Sequence, residues 1–313
     1  MTDSKVFDVV IVGGGPAGLN AALVLGRARR TVAVVDAGEP RNAPATAAHG
    51  FLTRDGAPPA DLLAIGRAEV AGYGVELIDG AVTSVAPGFR VRVGDRDLRA
   101  RRLLVTTGLV DELPDLPGVR EGWGRYVAHC PYCHGYEVRD QALGVLANVH
   151  LALLIRQWSA DVVLFANEMP VPADDRRRLA ARGVDVVDGR VAAVGPRGVS
   201  LADGRVVERA AVFVGPRFVG RSGLLLDLGC AQTPEGWVAV DAVGLTSVPG
   251  VYAAGNVVDP FAQVVTAAGA GARAAIAINN DLVTEEVERA TVERWPTTST
   301  SWSPGRTASS GSR

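Results

Sequence analysis

The chain has 313 residues, 48% of them hydrophobic and only 5% aromatic, which is too apolar for a disordered polymer and long enough for two domains. A formal charge of -2 supplies no basic field for nucleic acid or an anionic membrane, so a small molecule is the expected partner. There is no export signal and no apolar run of the roughly 20 residues a membrane helix needs, and three cysteines suit a reducing cytoplasm, so a cytoplasmic protein is expected.

Residues 7–12 are a β-branched run ending in Gly13, Gly14, Gly15, Pro16, Ala17 and Gly18, with small residues following to Arg27. This predicts strand, glycine turn and helix. In such a unit Gly13 permits the turn, Gly15 lets backbone N–H groups approach a pyrophosphate, and Gly18 lets the helix lie close to the strand. A second strand over 31–35 ends at Asp36, followed by Ala37, where a carboxylate can accept ribose hydroxyls. The glycine pattern alone matches many turns. A strand before it, a helix after it and an acid at the next strand's end make it a dinucleotide site.

The glycine-rich loop over 38–56 carries Arg41, Asn42 and His49, is longer than a βαβ unit requires, and is expected to cover a large cofactor. For His49 a hydrogen-bonded structural role is the alternative. A helix over 59–73 and strands over 75–77, 81–85, 89–93 and 98–104 follow, the last delivering Thr107 and Gly108 to the nucleotide crevice. Residues 250–256 do the same with Gly255 and Asn256. Either stretch could equally be a buried strand ending in a turn.

A Pro/Gly cluster at 113–118 reads as a hinge. Beyond it a strand over 142–147, a helix over 151–158 and a strand over 162–166 repeat the βαβ layout. The second turn, Ala147-Asn148-Val149-His150, has no glycine, and Asn167 and Glu168 stand where a 2′-phosphate would need basic groups, which argues against NADPH. Residues 174–182 form a charged surface helix, and 263–279 a helix of small residues whose start, at Gln263 and Val264, can face an electron-rich ring carbonyl. The expected division is a cofactor domain from 1–113 and 243–292, an inserted domain over 114–242, and a disordered tail over 293–313.

The chemistry-bearing stretch is Cys130-Pro131-Tyr132-Cys133-His134. Two cysteines at this spacing suit a redox pair. The string is also a haem-attachment signature, but such chains are exported. A zinc site would have to draw four ligands from His129, Cys130, Cys133 and His134, which can hardly form a tetrahedron, so no metal is expected. Thiol–disulfide exchange needs a thiolate and a group to manage its proton, and His134 is the candidate for the second task. Trp123, Tyr126, Tyr132, Tyr136 and Phe218 are candidates for an apolar substrate pocket or for core; Cys230 and His150 read as structural.

With G-G-G-P-A-G near the start, C-x-x-C in the middle, and V-Y-A-A-G-N-V followed by Q-V-V-T-A-A-G-A-G-A-R-A-A, residues 5–285 resemble the low-molecular-weight thioredoxin reductase family. C-P-Y-C-H-G-Y-E, with His134 where the reductases have an acid, is similar to the dithiol oxidases of the gliotoxin and holomycin type. The resemblance implies an α/β fold of two Rossmann-like, three-layer ββα domains, an FAD cofactor and a homodimer. It places Cys133 against the flavin and Cys130 toward substrate, and carries FAD contacts onto Gly13, Gly15, Pro16, Ala17, Gly18, Asp36, Ala37, Arg41, Asn42, His49, Thr107, Gly108, Gly255, Asn256, Gln263 and Val264. Asn256 departs from the acid usual after A-A-G. The function expected is oxidation of a small-molecule dithiol with dioxygen as acceptor, with thioredoxin reductase-type disulfide reduction using NADPH or another electron donor and redox sensing without turnover as alternatives.

Overall fold

The computed structural model describes residues 5–295. Strand β1 (Val6–Val12) lies at the centre of a sheet covered on both faces, so from Val9 to Val12 it is a continuous apolar run rather than an alternating one. Helix α1 (Pro16–Arg27) follows the glycine turn, with Pro16 at its first position, where a missing N–H costs nothing. Strand β2 (Val32–Asp36) pairs parallel to β1, Val9 opposite Val32 and Val12 opposite Val35. Helix α2 (Pro59–Gly72) leads to β3 (Glu76–Asp79) at the sheet's edge. An antiparallel meander then runs through β4 (Val82–Ala86), β5 (Arg90–Val93) and β6 (Arg96–Val105), and β6 returns parallel to β1.

Strand β7 (Leu109–Glu112) leads to a second lobe: α3 (Val119–Gly122), β8 (Val127–Ala128), α4 (Pro131–His134), β9 (Leu143–Leu146), α5 (Val149–Ile155), β10 (Val162–Phe165), α6 (Ala173–Ala181) and β11 (Val184–Val187). The small sheet of β12 (Val191–Gly195), β13 (Gly198–Leu201) and β14 (Val206–Glu208) follows, then β15 (Ala211–Phe213). Strands β11, β10, β9, β15 and β8 form a parallel sheet in that order. The chain comes back along β16 (Arg217–Gly220), which pairs antiparallel to β7, and α7 (Gly223–Asp227). The α/β class with parallel sheets is thus the expected one.

Strand β17 (Val251–Ala253) rejoins the first sheet beside β6, and α8 (Val264–Arg294) closes the described chain. Helix α8 crosses α1 so closely that a Cβ at Gly271 would lie 2.0 Å from the Ala17 carbonyl oxygen. The buried Ala267, Ala274 and Ala275 continue that contact, which is why the run is built of small residues.

Helix α8 is longer than the span 263–279. Its second half is polar outward, but Arg102 grips Asp281 and Glu285, and Arg30 and Arg101 grip Glu286, so ion pairs with residues remote in sequence carry the helix on. Residues 293 and 294, assigned to the tail, belong to this helix, and the expected tail from 296 lies outside the described residues. Helix α1 starts at Pro16 rather than Leu19, and α5 spans Val149–Ile155 rather than 151–158. Among the described residues no helix is long and apolar enough to cross a membrane.

Candidate active site

A cavity of about 1430 Å³ opens where the strands of both parallel sheets end. Its walls are the turn after β1, the ends of β2 and β6, the 39–49 loop, the cysteine segment, the segment around β16 and the start of α8. Crevices at the carboxyl ends of parallel strands are the usual ligand sites of this architecture, and this one exceeds the ~300–1,000 Å³ that a small ligand takes. It has room for a dinucleotide and a substrate together.

The cradle begins at the glycine turn. Gly13 has φ +108°, and a Cβ there would meet the Thr106 carbonyl oxygen at 2.5 Å; one at Gly14 would meet the Asp36 carboxylate at 2.8 Å. At Gly15 nothing lies within 4 Å, so the backbone is bare toward the cavity. No side chain caps α1, whose first-turn N–H groups at Ala17 and Gly18 remain available to an anion. Gly18 itself is not in the cavity wall: a Cβ there would strike the Gly13 carbonyl oxygen at 1.9 Å, so this glycine serves the closeness of helix and turn. The Gly14 N–H donates to Asp36 Oδ1 at 3.0 Å, which fixes the carboxylate at the end of β2, and its other oxygen, 3.8 Å from the Arg67 guanidinium, stands where a ribose hydroxyl would be accepted.

Ala37, Asn42, Thr107, Gly108, Gly255, Gln263 and Val264 line the same space. Helix α8 also lacks a side-chain cap, so a second set of unpaired N–H groups faces the cavity from the opposite wall. Two uncapped helix starts, a bare glycine and the Asp36 carboxylate fit FAD, whose pyrophosphate α1 would hold and whose ring carbonyls α8 would face.

Three expected cofactor contacts, Arg41, Asn256 and His49, line the cavity and are also held by protein groups. Arg41 lines the cavity, but its guanidinium is held bidentately by Asp111 at 2.8 and 2.7 Å, donates to Pro260 O and Asn256 Oδ1, and lies over the Phe218 ring. The Asn256 amide donates to the carbonyls of Asp259 and Ala262, both at 2.9 Å. A carboxylate could not donate there, which accounts for the amide in place of the acid. His49 bridges the lobes, with Nδ1 3.3 Å from Asp55 Oδ2 and Nε2 3.4 Å from Glu137 Oε1.

The cysteines sit at the mouth of α4. Cys130 is the extended residue before the helix, Pro131 its first residue, and Cys130 and Cys133 form a disulfide, both half-buried and lining the cavity. His134 follows on the same short helix and reaches the cavity too. Gly135 is required because a Cβ would meet the Pro131 carbonyl at 2.5 Å and the Trp158 ring at 2.9 Å. Of the aromatic candidates Trp123, Tyr132 and Phe218 line the cavity; Tyr126 and Tyr136 do not, Tyr126 instead donating to Gly118 O and Tyr136 lying under Arg139. Cys230 is buried against the Thr246 hydroxyl, and among the described residues no cluster of His, Cys, Asp or Glu could hold a metal. Nothing in the residue pattern signals the buried Asp111 or Phe261, and His150, expected to be structural, is in the cavity wall.

The second turn, between β9 and α5, also lines the cavity through Asn148, His150 and Leu151, but carries its own cap. Asn148 Oδ1 accepts the Leu151 N–H at 3.0 Å, and Ala147 holds φ +47° without being glycine. The side chain thus takes up one of the N–H groups that an anion would otherwise use at a helix start.

A family model described as pyridine nucleotide-disulphide oxidoreductase matches residues 7–271. The chain belongs to that family. It is 31% identical to the thioredoxin reductase sirT of Leptosphaeria maculans over 89% of this chain and 95% of the relative. The thioredoxin reductase tcpT of Claviceps purpurea is 32% identical over 82% and 88%. Among solved structures, the crystal structure of HlmI superposes with a TM-score of 0.90 at 53% identity, covering 94% of this chain and 98% of that one. The chain is therefore a thioredoxin reductase-like FAD flavoprotein, a flavin-dependent thiol/disulfide oxidoreductase, as its cradle and cysteine pair require.

Proposed function

We propose that this flavoenzyme is a dithiol oxidase that closes an intramolecular disulfide in a small molecule, with dioxygen as final acceptor. The observation that carries the reading is the pairing of an open FAD cradle with the Cys130–Cys133 disulfide in one cavity, while the second nucleotide turn is capped by Asn148. A substrate thiolate attacks Sγ of Cys130, breaking the bond to Cys133, which leaves as a thiolate. The second substrate thiol gives its proton to His134 and attacks the substrate sulfur of the mixed disulfide. Cys130 is released as a thiolate that takes up the proton, and the product leaves as a cyclic disulfide. FAD, when bound, would supply the two-electron acceptor for return of the Cys130 and Cys133 thiols to the disulfide, with dioxygen as the final oxidant and hydrogen peroxide as its product. The names of the fungal relatives favour a second reading, disulfide reduction with electrons from an outside donor.

Anaerobic titration of the flavin absorbance separates the two. Small dithiols are expected to bleach the bound flavin and air to restore it, NADPH is expected to leave it oxidised, and Cys130→Ser is expected to abolish the dithiol response. Bleaching by NADPH at a rate that sustains turnover would replace the oxidase reading by the reductase one.

A further inference from the structure

His129 stands beside Cys130 and is used by none of the steps above. Its ring stacks on Trp123, with centroids 5.6 Å apart and planes 17° from parallel, and meets the edge of Phe218 at 5.8 Å. Phe218 in turn meets Phe261 at 5.8 Å, and all four rings line the cavity. The imidazole is therefore fixed on two sides. Among the described residues neither of its nitrogens has a protein hydrogen-bond partner, although Arg41 and Asp111 lie close enough to influence its charge.

We propose that His129 is a positioning residue that hydrogen-bonds the incoming sulfur beside Cys130 with a neutral imidazole held between Trp123 and Phe218. The inference rests on the oxidase reading, in which Cys130 meets the substrate. Three observations support it: the residue's place next to Cys130 in the chain, the ring's immobilisation by stacking, and its position in the cavity wall with no protein hydrogen bond to either nitrogen among the described residues. Burial, and after it the Arg41 guanidinium, push the ring's pKa down to about 4 against a smaller opposing pull from Asp111. So weak a base cannot take a proton from a thiol of ordinary pKa near ~8.5, which separates its role from that given to His134. A neutral ring still donates through one nitrogen and accepts through the other.

The test is anaerobic stopped-flow reduction of the holoenzyme flavin by 1,2-bis(mercaptomethyl)benzene and by dithiothreitol, for the parent, His129→Phe and His129→Gln. The phenyl variant keeps a stacking ring and loses the hydrogen bond, while the amide variant keeps donor and acceptor. We expect His129→Phe to raise the half-saturating dithiol concentration roughly five- to tenfold, the size of one hydrogen bond, with the limiting rate within about twofold. His129→Gln is expected to recover most of that loss, and flavin content and near-UV circular dichroism to match the parent in both. An unchanged half-saturation in His129→Phe overturns the inference. So does a limiting rate that falls ~10²-fold at constant half-saturation, which would mark an acid–base group. Loss of flavin or tertiary signal in both variants would make His129 a packing residue and overturn it as well. A parent whose flavin neither dithiol reduces overturns the oxidase reading and this inference together, whereas normal reduction with an indifferent His129→Phe overturns this inference alone.

Discussion

The two βα turns of the molecule have the same topology and opposite chemistry. After β1 the backbone at Gly15 is bare, α1 has no side-chain cap, and the N–H groups are left for a ligand. After β9 the equivalent place holds Asn148, whose side chain satisfies the Leu151 N–H from within the protein. A parallel sheet puts a helix start at the end of each strand, but the residue before the helix decides whether that start binds an anion or itself. The fold therefore sets two such turns at the cavity, one bare at Gly15 and one carrying its own side-chain cap.

The largest effect expected from this contrast is at Gly15. Its Cβ position touches no protein atom, so Gly15→Val should fold while projecting into the pyrophosphate position. Purified variant protein is expected to carry less than about a tenth of the parent's flavin and to be inactive, because a bulky group there stops backbone approach. Normal flavin content would show that the open turn is not the cofactor's anchor. Next comes His134→Ala, which keeps the cradle and is expected to slow dithiol turnover by about 10² with flavin content unchanged, as loss of an acid–base group should.

Acidity probes the wall between the turns. His129 has a folded pKa near 4 against 6.5 for an ordinary histidine, so the unfolded chain binds a proton that the folded ring refuses. Its contribution to stability is complete above about 6.5, declines by at most ~1.4 kcal/mol per pH unit as the pH falls from there, and levels off below about 4. Urea unfolding at pH 7 and pH 4.5 should show a smaller drop for His129→Asn than for the parent; equal drops would mean that the ring is solvated. The smallest effect is at the closed turn. Asn148→Ala removes a helix cap and is expected to cost about 1 kcal/mol in urea unfolding with flavin content unaltered. A loss of flavin in that variant would erase the distinction between the two turns.

The first βαβ unit was legible because its signals are local: β-branched strand, glycines and Asp36 lie within about 30 residues, the span of such a unit. The cysteine pair was legible for the same reason. What escaped depends on partners far along the chain. Helix α8 runs on to Arg294 because Arg30, Arg101 and Arg102 reach its acids from the other end of the sequence. Arg41 lines the cavity as expected, but its pairing with Asp111, 70 residues away, left no sign in the sequence. The sequence exposed the missing glycine at the second turn, yet that Asn148 would occupy the vacated position depends on a rotamer and a 3.0 Å approach that no residue pattern encodes.

The loop from 256 to 262 is held at several points: by the Asn256 amide, by Arg41 on Pro260, and by Asp259, which accepts the Phe261 N–H at 3.0 Å. Phe261, 81% exposed, is thus presented at the rim on a segment with little conformational freedom left to lose. A guest that lands on that ring encounters a surface already ordered, so the entropy normally surrendered in arranging a flexible lip has been spent during folding.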